Sequence, residues 1–298
     1  MKFIYTYPET HGTGRDMLEA GPVDKVAVAA EAAGFAGLAF TEHPAPGAGW
    51  LEAGGHQSLD PFAALAFAAA ATSRIRLLTY LCVLPYRNPL VTAKAAATVD
   101  KLSGGRFILG VGAGYLKGEF RAVGAHFDER NQLVDEALEV MPLHWAGERF
   151  SYSGAHFDAR DAIGRPMPVQ NPIPIWIGGN SALTRRRVAE KAQGWMPLAV
   201  APEQASMVRT APLGGVEEMA GQIAAIRQSA AVRHEPIDVL YPYMDASLLA
   251  DPDQDVERHR EAIGRLEEAG VTWVSIGGTS TSAKETLGFL ERFAANYI

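Results

Sequence analysis

The feature that most constrains this chain is a recurring punctuation: an alanine-rich helical segment, a glycine, then a short run of branched or aromatic residues. EAAGFAGLAFTEH from Glu31 shows it, as do KLSGGRFILGVG from Lys101, EKAQGWMPLAV from Glu190 and EEAGVTWVSIGG from Glu267. Glycine just past a helix supplies the left-handed residue that ends it without a Cβ penalty. The runs that follow do not alternate apolar with polar, so they read as strands buried on both faces, as parallel sheets require. Eight such runs begin near Lys2, Gly37, Ile75, Arg106, Ile173, Gly194, Asp238 and Val271. Helical patterns fill the gaps at 23–33, 61–72, 90–102, 130–145, 182–192, 216–232, 256–269 and 283–297. Eight βα units predict an α/β fold, a (β/α)8 TIM barrel over residues 1–298 as one domain; an open doubly wound sheet would more usually have about five or six strands.

Composition narrows the partners. A net charge of −7 disfavours nucleic acid or an anionic membrane surface as the main partner, so any phosphate must be held locally by backbone amides and a few basic side chains. The one cysteine, Cys82, excludes an intramolecular disulfide, suits a reducing cytoplasm, and reads as a small buried hydrophobe inside an apolar run. The N-terminus MKFIYTYPE has no signal-peptide pattern, and the alanine-rich stretch 61–72 falls short of the roughly 20 apolar residues that span a bilayer. A soluble cytoplasmic protein is expected.

Two connections exceed the usual βα length. The first, 44–60, leaves the C-terminal end of strand two, is rich in Gly and Pro, and carries Trp50 and His56, which suits a lid or substrate wall. The second, 147–172, contains RFSYSGAHFD, a hairpin around Ser153-Gly154, and reads as a structural flap or a subunit contact.

In a barrel, ligands bind at the C-terminal ends of the strands. Glu42 and His43 end strand two, and an imidazole beside a carboxylate there is a candidate proton-transfer pair, although only one of two adjacent residues can face inward. Thr79-Tyr80 end strand three. Gly110, Gly112 and Gly114 at the end of strand four fail the dinucleotide pattern GxGxxG, because Tyr115 and Lys117 stand where a third glycine would be needed. They read either as clearance for a flat ring or as tight packing at the mouth. Gly178-Gly179-Asn180-Ser181 opens a helix as an anion nest, with Arg185, Arg186 and Arg187 following; Gly277-Gly278-Thr279-Ser280 is a second nest, and residue chemistry alone does not choose between them. Trp195 reads as pocket lining or as core. No HxH, HExxH or GxSxG pattern supports a metal site or a serine hydrolase.

Taken together, FTEHPAP from Phe40, the run from Ile75 to Phe120 and PIWIGGNS from Pro174 resemble the bacterial luciferase-like superfamily of flavin and deazaflavin oxidoreductases. LPYRNPLVTAKAAATVDKLSGGR most resembles its coenzyme F420-dependent branch. The resemblance implies a (β/α)8 barrel with the cofactor ring at the C-terminal mouth and His43, preceded by the acidic Glu42, in the active site. It implies that Thr79, Tyr80 and Leu81 form a bulge supporting the ring, with a cis Tyr80–Leu81 peptide. Gly112, Ala113, Gly114 and Tyr115 would pass beside the ring and its side chain. Gly178, Gly179, Asn180 and Ser181 would form the phosphate loop, which favours the first nest. Many deazaflavin relatives have Asp where this chain has Glu42, so FMN stays the alternative cofactor. The expected activity is hydride transfer between F420 and a small organic substrate. The alternatives are an FMN-dependent monooxygenase using reduced flavin and O2, and a non-catalytic flavin-binding subunit. A homodimer is the family-level expectation.

Overall fold

The glycine punctuation ends helices as anticipated at Gly34, Gly104 and Gly270, each at positive φ, whereas Gly194 opens a strand and the helix before it ends on an extended Ala192. Gly104 closes helix α4 (Pro89–Ser103) at φ +69°, its N–H returning to the carbonyls of Asp100 and Lys101. That helix starts slightly earlier than its apolar pattern, because Asn88 caps the amide of Leu90 at 2.9 Å and Pro89 takes the first helical position, where its missing N–H costs nothing. The computed structural model describes residues 1–8, 14–200, 205–233, 236–278 and 280–298.

The eight expected runs form a closed parallel barrel. Its strands are β1 (Lys2–Thr6), β2 (Gly37–Phe40), β3 (Arg76–Thr79) with its continuation β4 (Cys82–Val83), β5 (Phe107–Gly112), β8 (Ile175–Gly178), β9 (Gly194–Met196), β10 (Asp238–Pro242) and β11 (Trp273–Gly277). Each pairs in parallel with its neighbours, β1 with β11 and β3 with β5 completing the ring. The intervening strands β6 (Arg149–Ser153) and β7 (Asp158–Ile163) form the expected hairpin outside the barrel. Its turn is Gly154 to Phe157, closed by the Gly154 amide on the Phe157 carbonyl at 2.9 Å. Glu136 of α6 (Arg130–Trp145) latches it by accepting from the His156 ring at 2.6 Å and from the amides of His156 and Phe157.

Side-chain alternation sorts each strand into an outer face against the helices and an inner face along the barrel axis. The outer face holds the main apolar core, and Trp195 belongs to it, fully buried with its indole N–H on the Gly179 carbonyl at 2.8 Å. Trp195 is therefore core, not pocket. The inner face holds one bulky layer with one residue per strand: Ile4, Ala39, Leu78, Ile108, Trp176, Met196, Leu240 and Trp273. Gly194 makes room for it, since a Cβ there would meet the Trp176 ring at 2.3 Å. Two residues further along, the same inner face carries Thr6, Thr41, Tyr80, Gly110, Gly178 and Ser275. The barrel is filled below and lined by small or polar groups above, so the mouth is its open end. Among the described residues no helix is long and apolar enough to cross a membrane.

Candidate active site at the barrel mouth

Beyond Phe40 the chain carries Glu42 and His43 to opposite sides. The His43 Nδ1 lies 3.0 Å from Oε2 of Glu119. That carboxylate is 1% exposed and also accepts from the Tyr86 hydroxyl at 3.0 Å and the Ala45 amide at 3.2 Å. Glu119 sits on the short helix α5 (Lys117–Ala122), which folds back over the end of β5; Tyr86 ends the turn Leu84–Tyr86. Burial, reinforced by the Glu119 charge, pushes the Tyr86 hydroxyl well above the usual tyrosine range, so it remains a donor.

Loop 44–60 forms a wall around this group. Trp50, on α2 (Ala48–Glu52), packs 4.5 Å from the His43 ring, His56 lies at 4.9 Å, and Tyr115 approaches from the strand-five side at 6.2 Å. Ser58 Oγ accepts the His43 amide at 2.7 Å and anchors the far end of the loop. With Nδ1 committed to Glu119, His43 Nε2 has no hydrogen-bond partner among the described residues. An imidazole oriented by a carboxylate, with its second nitrogen available, can exchange a proton with a ligand oxygen.

Glu42 does not join this group. Its Oε2 accepts the Val83 amide at 2.6 Å, and Oε1 lies 2.6 Å from Arg87, a charge contact without the alignment of a good hydrogen bond. Arg87 also binds Asp60, the N-cap of α3 (Pro61–Ala71), at 2.6 Å. Burial raises the Glu42 carboxyl above the ordinary carboxylate range, with Arg87 and the Val83 amide opposing it. Glu42 ties the end of β2 to the segment after the bulge, a positioning role. Cys82 beside it is buried and its thiol is pushed up by burial and then by the Glu42 charge, as expected of an inert cysteine.

Between β3 and β4 the chain bulges, with Leu78 opposite Ile108 and Cys82 opposite Val111, so one extra residue is accommodated. The Tyr80–Leu81 peptide within it is cis. Thr79 is fully buried and its hydroxyl donates to the Gly110 carbonyl at 2.7 Å, closing the gap in the ladder. The Tyr80 hydroxyl reaches across the barrel to Ser275 Oγ at 3.1 Å. The strand-five glycines make room for protein. A Cβ on Gly110 would lie 2.0 Å from the Thr79 carbonyl, on Gly112 2.6 Å from Leu81 Cδ1, and on Gly114 2.6 Å from Val83. Gly178 faces Leu81 from the other side, a Cβ there lying 2.4 Å from Cδ2. Of the two readings of these glycines, tight packing applies to the direct contacts, and Leu81 becomes an apolar ledge seated between Gly112 and Gly178. Ala113 packs against the outer core.

The first nest is partly used by the protein itself. The Gly179 amide donates to the Met196 carbonyl at 3.1 Å and the Asn180 amide to Thr210 Oγ1 at 2.9 Å. The Asn180 side chain bridges Leu198 and Ala211, and Ser181 caps the Thr184 amide at 3.0 Å. The amides of Ala182 and Leu183, opening α7 (Ala182–Lys191), have no acceptor among the described residues. Arg187 is held by Asp135 and Asn131 of α6 and Arg185 by the Asn180 carbonyl, so neither is a free phosphate ligand. In the second nest Thr279 lies outside the described residues, and a Cβ on Gly278 would crowd the Tyr5 hydroxyl at 2.7 Å. Gly178 thus joins an apolar ledge to a helix N-terminus with open amides, which fits a planar ring carrying an anionic side chain.

Residues 1–291 match the luciferase-like monooxygenase family. The chain belongs to that family. Among its relatives is an F420-dependent glucose-6-phosphate dehydrogenase of Tsukamurella paurometabola, 28% identical over 78% of this chain and 66% of that protein. An FMNH(2)-dependent dimethylsulfone monooxygenase of Pseudomonas putida is 32% identical over 42% of this chain and 35% of that protein. A solved F420-dependent secondary alcohol dehydrogenase superposes with a TM-score of 0.73 at 18% identity, covering 99% of this chain and 97% of that one, which supports the shared fold. The barrel and the enzyme class expected from the sequence both stand. Glu119, Tyr86 and Arg87 were not singled out from the sequence. The one local signal was their place in LPYRNP and GYLKGEF, immediately after strand ends.

Proposed function

We propose that this chain is an oxidoreductase that uses coenzyme F420 to transfer hydride to or from a small organic substrate, with His43 and Glu119 as its acid–base pair. The observation that carries the reading is the His43–Glu119 contact at 3.0 Å, walled by Trp50 and His56. A bound deazaflavin supplies two-electron hydride chemistry. The chain's own residues do the rest. Leu81 and Tyr80 would hold the ring, and Tyr80 is braced by Ser275. The open amides at the start of α7 would hold a phosphate of the cofactor. His43 Nε2 gives a proton to, or takes one from, the substrate oxygen as a carbonyl and an alcohol interconvert. Glu119 fixes the ring tautomer and balances the charge when His43 is protonated. Loop 44–60 keeps bulk water from His43.

The resemblance to the FMNH(2)-dependent monooxygenase favours a second reading, in which the mouth holds reduced FMN and the same wall protects its reaction with O2. Fluorescence titration with F420 and with FMN separates the two. Tight F420 binding with hydride exchange toward alcohols or carbonyls is the expected result. Tight FMN binding with no F420 binding would replace the first reading by the second. A cytoplasmic, homodimeric enzyme is part of the proposal, tested by fractionation and by light scattering.

A further inference from the structure

Phe127, in the turn Phe127–Glu129 ahead of α6, is surrounded by three cations. The Arg130 guanidinium carbon lies 4.0 Å from the ring centroid, Lys117 Nζ 5.0 Å and the Arg209 guanidinium carbon 5.3 Å. They come from three separate segments: Lys117 opens α5, Arg130 opens α6, and Arg209 precedes Thr210, which receives the Asn180 amide. Among the described residues none of the three has an acidic partner within ion-pair distance, and Arg130 donates to the Phe127 carbonyl at 3.0 Å. In a chain of net charge −7, three cations converging on one ring form a local basic patch suited to an anion, with Asp128 the acidic group that acts on Arg130.

Cation–ring contacts offset only part of the mutual repulsion, at about 0.5–1 kcal/mol each for exposed pairs. Stacking occupies the guanidinium face and leaves its in-plane N–H edges for an anion. The cluster also adjoins the candidate site on two sides. Phe127 packs 5.1 Å from Phe120, which packs 5.0 Å from Tyr86, the donor to Glu119. On the other side, Arg209 is covalently next to the residue that braces the Gly178–Ser181 loop.

We infer that Lys117, Arg130 and Arg209 form a subsite for a polyanionic chain of phosphodiester and carboxylate groups, extending from the ligand seated in the mouth. The occupant is the acidic tail of a deazaflavin cofactor; a phosphate monoester such as that of FMN has the charge and reach to engage only part of the cluster. The inference rests on the proposed function for its choice of ligand.

The test is a fluorescence titration of the full chain with F420 and with the same chromophore lacking its phosphate–glutamate tail, at low and high salt. F420 is expected to bind at least about tenfold tighter at low salt, the advantage shrinking as salt screens the cluster. The double variant Lys117→Ala/Arg209→Ala, at two exposed positions, is expected to lose most of that advantage while its affinity for the tail-less chromophore stays unchanged. Equal wild-type affinities for the two forms, or a double variant that weakens both alike or neither, overturns the subsite. If neither deazaflavin binds, the F420 reading fails by itself, and the cluster is judged on FMN against riboflavin. An FMN preference that the double variant removes retains an anion subsite there; one that it leaves intact overturns it.

Discussion

Two buried carboxylates flank the end of β2, and they are held in opposite ways. Glu42 faces a guanidinium: Arg87 lies 2.6 Å from its Oε1 and the Val83 amide 2.6 Å from its Oε2. Glu119 faces a titratable ring and a hydroxyl, His43 and Tyr86, each at 3.0 Å, with the Ala45 amide completing the set. A permanent cation fixes a charge in place. An imidazole whose second nitrogen has no partner among the described residues allows a proton to move. The first arrangement ties loops together behind the bulge, and the second is suited to chemistry in front of it. Adjacent residues on one strand end, Glu42 and His43, thus serve different ends because alternation sends them to different neighbourhoods.

The largest effect is expected on the His43 side. Glu119→Gln removes the carboxylate that orients and balances His43, and cofactor-dependent turnover should fall by about 10²–10⁴-fold with cofactor affinity little changed, while stability drops by only about 1–3 kcal/mol because the new amide NH2 faces a buried donor. Steady-state kinetics beside a binding titration checks this; a loss confined to stability would make Glu119 structural and erase the contrast with Glu42. Arg87→Met should do the reverse. It leaves Glu42 buried opposite no cation, and breaking a buried pair costs about 3–5 kcal/mol. Because Arg87 is 23% exposed, roughly 3 kcal/mol is expected in urea unfolding. A variant with wild-type stability would show that the Glu42 ion pair holds nothing together.

A smaller effect separates the ledge from both carboxylates. In Gly112→Ala the new Cβ would meet Leu81 Cδ1 at 2.6 Å, the end of a side chain that can shift toward the ring site. Overpacking of this kind costs about 1–3 kcal/mol, and it should appear as cofactor binding weakened by about tenfold or more. Affinity left untouched while the fold is destabilised would mean that Leu81 is not part of the ring site.

The barrel was legible because strands buried on both faces leave unalternating runs that recur after helix-ending glycines, as in KLSGGRFILGVG. His43 was legible from its place at a strand end, and the Tyr80–Leu81 bulge only through family resemblance. Glu119 was not, since it meets His43 across 76 residues through the folding of a six-residue helix. Nothing local marks that approach. Glu42 was read as a partner of His43 because neighbours in sequence suggest neighbours in space, whereas its partner Arg87 lies on the far side of the bulge segment. The glycines showed where side chains are excluded, but what fills the space, Leu81, is set by tertiary packing.

The smallest expected effect is on the pH dependence of stability. Burial raises the Glu42 carboxyl above its ordinary range and outweighs the opposing charge of Arg87. The folded chain then holds that proton more tightly than the unfolded chain does. The resulting contribution is fully present below the unfolded carboxyl's range and is lost as pH rises through the folded value. Wild-type stability should therefore decline over the window just above the ordinary carboxylate range. Glu42→Gln has no proton to lose there and should flatten the decline, whereas Arg87→Met, with the opposing cation gone, should steepen it. Urea unfolding across that window checks all three chains. An unchanged slope in Glu42→Gln would mean that the decline arises elsewhere and that Arg87 fully compensates the buried charge. Turnover in Glu42→Gln, corrected for the folded fraction, should stay within about threefold of wild type, since a group behind the bulge transfers no proton.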